Sequence, residues 1–183
     1  GNDNYIVDSA LDVITETSTL ATEIDTAYAS VNYTLSNNVE NLILTGTAVT
    51  GAGSSLNNLL IGNNGNNTLK GNDGNDILDG SLGIDTLEGG VGNDTYVIDN
   101  SGDVITELAN TELANTKLDT AKSFITYTLA NNVENLVLLG NTDLKGTGNV
   151  LANLVTGNSG NNELKGASGD DTLIGSAGND TIN

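Results

Sequence analysis

Three consecutive nine-residue blocks decide the fold: GNDGNDILD at 71–79, GSLGIDTLE at 80–88 and GGVGNDTYV at 89–97. Each opens on glycine, carries glycine again at its fourth position and aspartate at its sixth, and has leucine or tyrosine at its eighth. Six residues so rich in Gly, Asn and Asp read as a turn whose backbone visits φ > 0, which other residues reach only at a cost. The remaining three read as a very short strand with only the eighth side chain facing inward.

The same spacing extends outward from these blocks. Asn58, Asn67, Asp76, Asp85, Asp94 and Asp103 follow one another at nine-residue steps, Asn153, Asn162, Asp171 and Asp180 resume the series, and Asp3 and Asp12 begin it. Two residues after most of them stands an aliphatic or tyrosine, among them Leu60, Leu69, Leu78, Leu87, Tyr96, Leu164 and Leu173. Two nonapeptides make one coil, with one strand in each of two parallel sheets. The fold expected is therefore all-β, a right-handed parallel β-roll or solenoid with branched aliphatics stacked between its sheets. Aromatics are only 3% of the chain, with five Tyr, one Phe and no Trp or Met, as a core this thin requires. Ten such coils, at about 4.8 Å between strands, predict a rod on the order of 50 Å long.

A longer period lies over the short one. VNYTLSNNVENLIL at 31–44 returns as ITYTLANNVENLVL at 125–138, NDNYIVD at 2–8 as NDTYVID at 93–99, and GNNTLKG at 65–71 as GNNELKG at 160–166. Self-similarity of this kind marks a repeat architecture. We read residues 1–183 as one continuous solenoid of two imperfect long repeats, 1–91 and 92–183, with the clearest nonapeptide blocks at 53–103 and 149–183. In the intervening stretches Leu42-Ile43-Leu44 and Leu136-Val137-Leu138 read as fully buried strands. Leu108 to Lys122 reads as an excursion loop or a short helix. Tyr5, Tyr33, Tyr96 and Tyr127 recur with the long repeat and are expected at coil corners.

Charge narrows the function classes. Twenty-four acidic residues against five lysines give a net charge of −19. A phosphate-tracking nucleic-acid binder needs clustered cations, so nucleic acid is excluded as a partner, and direct membrane insertion is not expected. With neither His nor Cys, zinc sites, thiol chemistry and His-based acid–base catalysis are excluded too. The aspartates belong to the repeat and a narrow rod offers no evident pocket, so the chain is read as no enzyme. Stacking coils two nonapeptides apart in sequence puts Asp76 against Asp94 on one edge and Asp85 against Asp103 on the other. Like charges so placed repel, and a hard cation between successive turns removes the repulsion. Ca²⁺, which takes six to eight oxygens with flexible geometry, suits carboxylates and glycine-exposed carbonyls. A metal-free alternative is a solenoid whose stacked Asn side chains form hydrogen-bonded ladders, which suits Asn58, Asn67, Asn153 and Asn162 but not the aspartates.

These blocks resemble the repeat-in-toxin (RTX, haemolysin-type) calcium-binding nonapeptide, a motif whose metal is known. The resemblance implies several calcium ions, each held between turns by the carbonyls of the second and fourth residues and by the sixth-position side chain. One site would use Asn72, Gly74 and Asp76 with Gly90, Gly92 and Asp94. The opposite edge would use Ser81, Gly83 and Asp85 with Asp99, Ser101 and Asp103. Asn63, Gly65 and Asn67 would complete a site with the Ser81 turn, and Asn158, Gly160 and Asn162 one with Ser176, Gly178 and Asp180. Gly169 and Asp171 belong to the same metal-binding set. Asn at 58, 67, 153 and 162 removes a charge and should weaken those sites, while Ala10 and Ser101 in place of the fourth glycine put the Asp12 and Asp103 turns in doubt.

By the same resemblance the chain is extracellular or on a bacterial cell surface, exported by a type I pathway and folded by calcium outside the cell. Two roles follow. The roll is either itself the structural product, in an adhesin, surface layer or filament with end-to-end self-association, or the folding and secretion module of a toxin or enzyme whose active domain lies elsewhere.

Overall fold

The computed structural model describes residues 1–18, 20, 22–107 and 117–183. Among them every strand pairing is parallel and no helix occurs. One long sheet of ten strands runs in the spatial order Asn4–Val7, Thr26–Ala29, Asn41–Leu44, Leu59–Ile61, Ile77–Asp79, Thr95–Ile98, Thr120–Ser123, Asn135–Leu138, Leu154–Thr156 and Thr172–Ile174. Facing it are two shorter sheets. The first contains Tyr33–Thr34, Thr50–Ala52, Thr68–Asp73, Thr86–Val91 and Val104–Thr106, the second Tyr127–Thr128, Lys145–Thr147, Glu163–Lys165 and Thr181–Ile182. The chain is a β-solenoid.

Register fixes coil length. In the nonapeptide blocks Leu42 pairs with Leu60, Leu60 with Leu78 and Leu78 with Tyr96. Asn58 and Asp76, hydrogen-bonded from one coil to the next, keep the same interval of 18 residues. Elsewhere the coil is not uniform. Tyr5 pairs with Ala27, and the Asp3–Asp25 hydrogen bond of that coil spans 22 residues. Tyr96 pairs with Ala121, and the Asp94–Asp119 bond spans 25 residues. Each long coil is followed by a short one, in which Asp25 and Glu40, or Asp119 and Glu134, are bonded across only 15 residues. The ten strands of the long sheet are thus stacked by nine pairing steps of unequal length, where a strict nonapeptide count predicts equal coils.

The core is a single file of side chains between the sheets. Leu42, Leu60, Leu78, Tyr96 and Leu136 on the long sheet and Leu69, Leu87 and Leu164 on the short ones are all fully buried. Tyr96 thus stands in the leucine column rather than at a corner, and the small Ala121 beside it in the next coil makes room for the ring. Leu42-Ile43-Leu44 and Leu136-Val137-Leu138 are not buried throughout. Leu42, Leu44, Leu136 and Leu138 face in while Ile43 and Val137 lie on the outer face, because a two-sheet roll has solvent behind each sheet. Within the 108–122 stretch, Thr120–Lys122 is strand in the long sheet, and 108–116 lies outside the described residues.

Candidate metal centres in the turns

Successive turns lie in direct contact. The strand ladder continues into the turn at 71–76, where Asn72 pairs with Gly90, Asp73 pairs with Val91, and Gly74 N–H donates to Val91 O at 2.8 Å. A Cβ on Gly92, whose φ is +152°, would fall on the carbonyl oxygen of Gly74. Glycine at the fourth position is therefore needed twice, for its backbone angle and for the approach of the coil below.

At the sixth position the carboxyl oxygens divide their work. One oxygen accepts the backbone N–H of the equivalent residue in the preceding coil: Asp76 N–H donates to Asp94 Oδ1 at 2.8 Å, Asn58 N–H to Asp76 Oδ1 at 2.7 Å and Asn67 N–H to Asp85 Oδ1 at 2.7 Å. The other oxygen of Asp76, Asp85 and Asp94 is buried with no hydrogen-bond partner. All three side chains are 1% exposed. Burial pushes Asp76 up to about 7 and Asp85 and Asp94 up to about 6, and the facing carboxylates add to the rise while the donated N–H opposes it. An ionised carboxylate with one oxygen buried and unpartnered is a costly group, and a hard cation is the partner its chemistry fits.

Backbone angles sort the nonapeptide turns into two classes. In five of them both the second and fourth residues have positive φ: Asn72 and Gly74, Ser81 and Gly83, Gly90 and Gly92, Ala167 and Gly169, Ser176 and Gly178. These are the five turns whose sixth residue is Asp76, Asp85, Asp94, Asp171 or Asp180. We call them open. The four turns ending in Asn58, Asn67, Asn153 and Asn162 have no positive φ at all, Gly65 and Gly160 included. In three of these closed turns the sixth side chain accepts its own second residue's N–H: Ser54 to Asn58 Oδ1 at 2.7 Å, Asn63 to Asn67 at 2.8 Å and Asn149 to Asn153 at 2.7 Å. The amide nitrogen then donates to carbonyls of the coil before, Asn58 to Val39 and Glu40, Asn67 to Ala48. In the fourth, Asn162 donates to Asn158 Oδ1 at 3.0 Å. The Asp103 turn is also closed, since Asp103 Oδ2 accepts from Asp99 and Asn100, and Asp12 Oδ2 likewise accepts from Asp8 and Ser9.

The family model for the RTX calcium-binding nonapeptide repeat (4 copies) matches at residues 52–87, 71–105 and 147–183. This chain belongs to the RTX calcium-binding repeat family. No curated protein and no solved structure matches it.

Within this RTX chain the structure brings Asn72, Gly74 and Asp76 together with Gly90, Gly92 and Asp94, two open turns in register. Ser81, Gly83 and Asp85 stack on the closed turn of Asn63, Gly65 and Asn67, where a Cβ on Gly83 would meet Gly65 O at 2.7 Å. Asp85 N–H donates to Asp103 Oδ1 at 3.0 Å, so Asp99, Ser101 and Asp103 lie over the same edge. Ser176, Gly178 and Asp180 stack on Asn158, Gly160 and Asn162, with Asn162 N–H on Asp180 Oδ1 at 2.8 Å. Gly169 and Asp171 stack on the closed turn ending in Asn153, whose N–H donates to Asp171 at 2.9 Å.

Two sets of residues escaped the sequence reading. The first-position glycines Gly71, Gly80 and Gly89 lie so close under the sixth-position carboxylates that a Cβ on any of them would strike Oδ2, and their nine-residue recurrence was the available signal. The fifth position forms a hydrogen-bonded asparagine column: Asn75 N–H donates to Asn57 Oδ1, Asn93 to Asn75, Ile84 to Asn66 and Asn179 to Asn161. These bonds run from later coil to earlier, opposite in sense to those of the sixth position. The asparagine ladder offered as a metal-free alternative thus exists, one residue from where it was sought, beside the carboxylates and not instead of them.

Proposed function

We propose that this RTX segment is a calcium-folded structural rod of a secreted or cell-surface bacterial protein, an adhesin, surface layer or filament, with no catalytic role. Calcium occupies the open turns and is held by the sixth-position carboxylates and the turn carbonyls. The Asn and Asp103 turns serve as hydrogen-bonded spacers that complete each site from the other side. The observation that carries this reading is the buried, unpartnered oxygen of Asp76, Asp85 and Asp94, three in one block. Without the ion, a charge of −19 and a one-residue-thick core leave the folded state poorly favoured, so binding and folding are one process. The reiteration of the long repeat along one unbroken ten-stranded sheet supports the rod as the product itself.

Far-ultraviolet circular dichroism during calcium titration of metal-stripped protein, with magnesium as control, tests the folding reading. A cooperative, calcium-specific gain of β signal is expected, and a complete β spectrum in excess chelator would overturn it. Electron microscopy of the calcium-loaded chain then tests the structural role. End-to-end rods are expected, whereas persistent monomers at high concentration favour a secretion module serving an active domain outside this chain.

A further inference from the structure

Near the junction between the two long repeats a nonapeptide aspartate meets carboxylates from outside the motif. Asp94, Glu107 and Asp119 bring carboxylate oxygens within 4.8 Å of one another, and Asp3, Glu16 and Asp25 do the same one long repeat earlier. Asp94 and Asp119 are buried, 1% and 3% exposed.

The origin of the first cluster is a register effect. Thr106 pairs with Glu88, so Glu107 comes next in the column of first-position residues that runs through Gly53, Gly71 and Gly89. Where the earlier turns place a glycine, this coil places a carboxylate. Its Oε1 converges with Asp94 Oδ2 and Tyr96 Oη over the Cα of Gly89, and a Cβ on that residue would fall on all three oxygens. Asp94 Oδ2 and Tyr96 Oη are each buried with no hydrogen-bond partner. Asp94 Oδ1 accepts from the Asp76 N–H on one side, while the Asp94 N–H donates to Asp119 Oδ1 at 2.7 Å on the other. In the first copy the same residue types are satisfied within the chain: Tyr5 Oη donates to Glu16 Oε2 at 2.9 Å, Asp3 N–H donates to Asp25 Oδ1 at 2.7 Å, and the exposed Asp3 carboxylate lies 3.9 Å from the N-terminal ammonium.

We propose that the cluster of Asp94, Glu107 and Asp119 is an additional calcium site that closes the carboxylate column where the first run of nonapeptides stops. The donors are all oxygen, with no nitrogen or sulfur ligand, which selects a hard divalent cation. Oxygens within 4.8 Å of one another suit an ion that binds each at 2.3–2.6 Å. Burial holds Asp94 and Asp119 above the ordinary carboxylate range, and the nearby Lys117 opposes that rise. The inference rests on the calcium reading of the open turns and adds to it a site whose third carboxylate, Glu107, is outside the motif.

Terbium as a calcium probe tests it on the full chain, because tyrosine sensitises terbium emission at short range and Tyr96 adjoins the site. Glu107→Gln is expected to bind one ion fewer by calorimetric titration, with lower tyrosine-sensitised emission, while Glu16→Gln in the self-satisfied first copy keeps the parent's count. An unchanged ion count in Glu107→Gln overturns the proposal, and should that variant fail to fold, Glu107→Asp, whose shorter side chain is expected to weaken that one ion, decides. A parent chain that binds no calcium instead removes the reading of the turns themselves.

Discussion

Replacing Asp76 by Asn should exchange calcium dependence for intrinsic stability. In the metal-free fold Asp76 keeps one oxygen on the Asn58 N–H, while the other is buried and unpartnered beside the Gly89 carbonyl. Burial raises its pKa from the ordinary carboxylate range to about 7, so above that pH ionisation opposes folding by about 4 kcal/mol relative to the unfolded chain. An amide has no charge to desolvate, and its nitrogen can donate to a turn carbonyl as Asn58 does to Val39 and Glu40. Because the folded pKa is raised, the penalty is full above it and shrinks as pH falls through it. The gain from Asp76→Asn should therefore be about 4 kcal/mol at pH 8 and under about 2 kcal/mol at pH 5. Urea unfolding in excess chelator at the two pH values measures this, and calorimetric titration should show the 72–76 with 90–94 site lost. A variant no more stable than the parent at pH 8, or a gain independent of pH, would refute the reasoning.

Four further outcomes follow from the same geometry. Asp85→Asn should lower the bound calcium count, whereas Asp103→Asn, in a turn already closed by its own N–H groups, should leave it unchanged; equilibrium dialysis separates them. Gly92→Ala places a methyl on the Gly74 carbonyl at φ +152°, and should abolish calcium-induced β signal in that block at any attainable calcium concentration. Leu78→Ala, fully buried in the long-sheet column, should cost about 2–5 kcal/mol in the calcium-loaded state, read by thermal unfolding. Lys70→Ala breaks an exposed 2.7 Å ion pair with Glu88 and should change stability by less than about 1 kcal/mol.

The nonapeptide blocks were legible because their period is rigid. One inward residue every nine fixes the strands, and Leu60, Leu78 and Leu87 lie where counting places them. Coil length outside the blocks was not legible. Long and short coils close a turn as well as the regular one does, once the insertion leaves the sheets undisturbed. In the short coils the reason for the Val-Glu-Asn-Leu motif becomes visible. Glu40 and Glu134 stand in the sixth-position column, and their longer side chains reach the N–H of Asp25 and Asp119 at 2.8 Å, an acceptor role otherwise filled by aspartate. The division of turns into open and closed escaped a reading that treated Asn as a weaker Asp. An amide both donates and accepts, so it can satisfy a turn by itself, while a carboxylate only accepts and leaves carbonyls facing it.

One asymmetry of the roll has a mechanical meaning. The long sheet carries its ladder without interruption from Asn4–Val7 to Thr172–Ile174, while among the described residues the opposite side is divided between Val104–Thr106 and Tyr127–Thr128. A beam continuous on one flange and split on the other resists pulling along its length but yields to bending at the split. Where Tyr96 pairs with Ala121 the ten-stranded flange carries the load across that division among the described strands. A tether built from many such units would then be stiff under tension along its continuous flange.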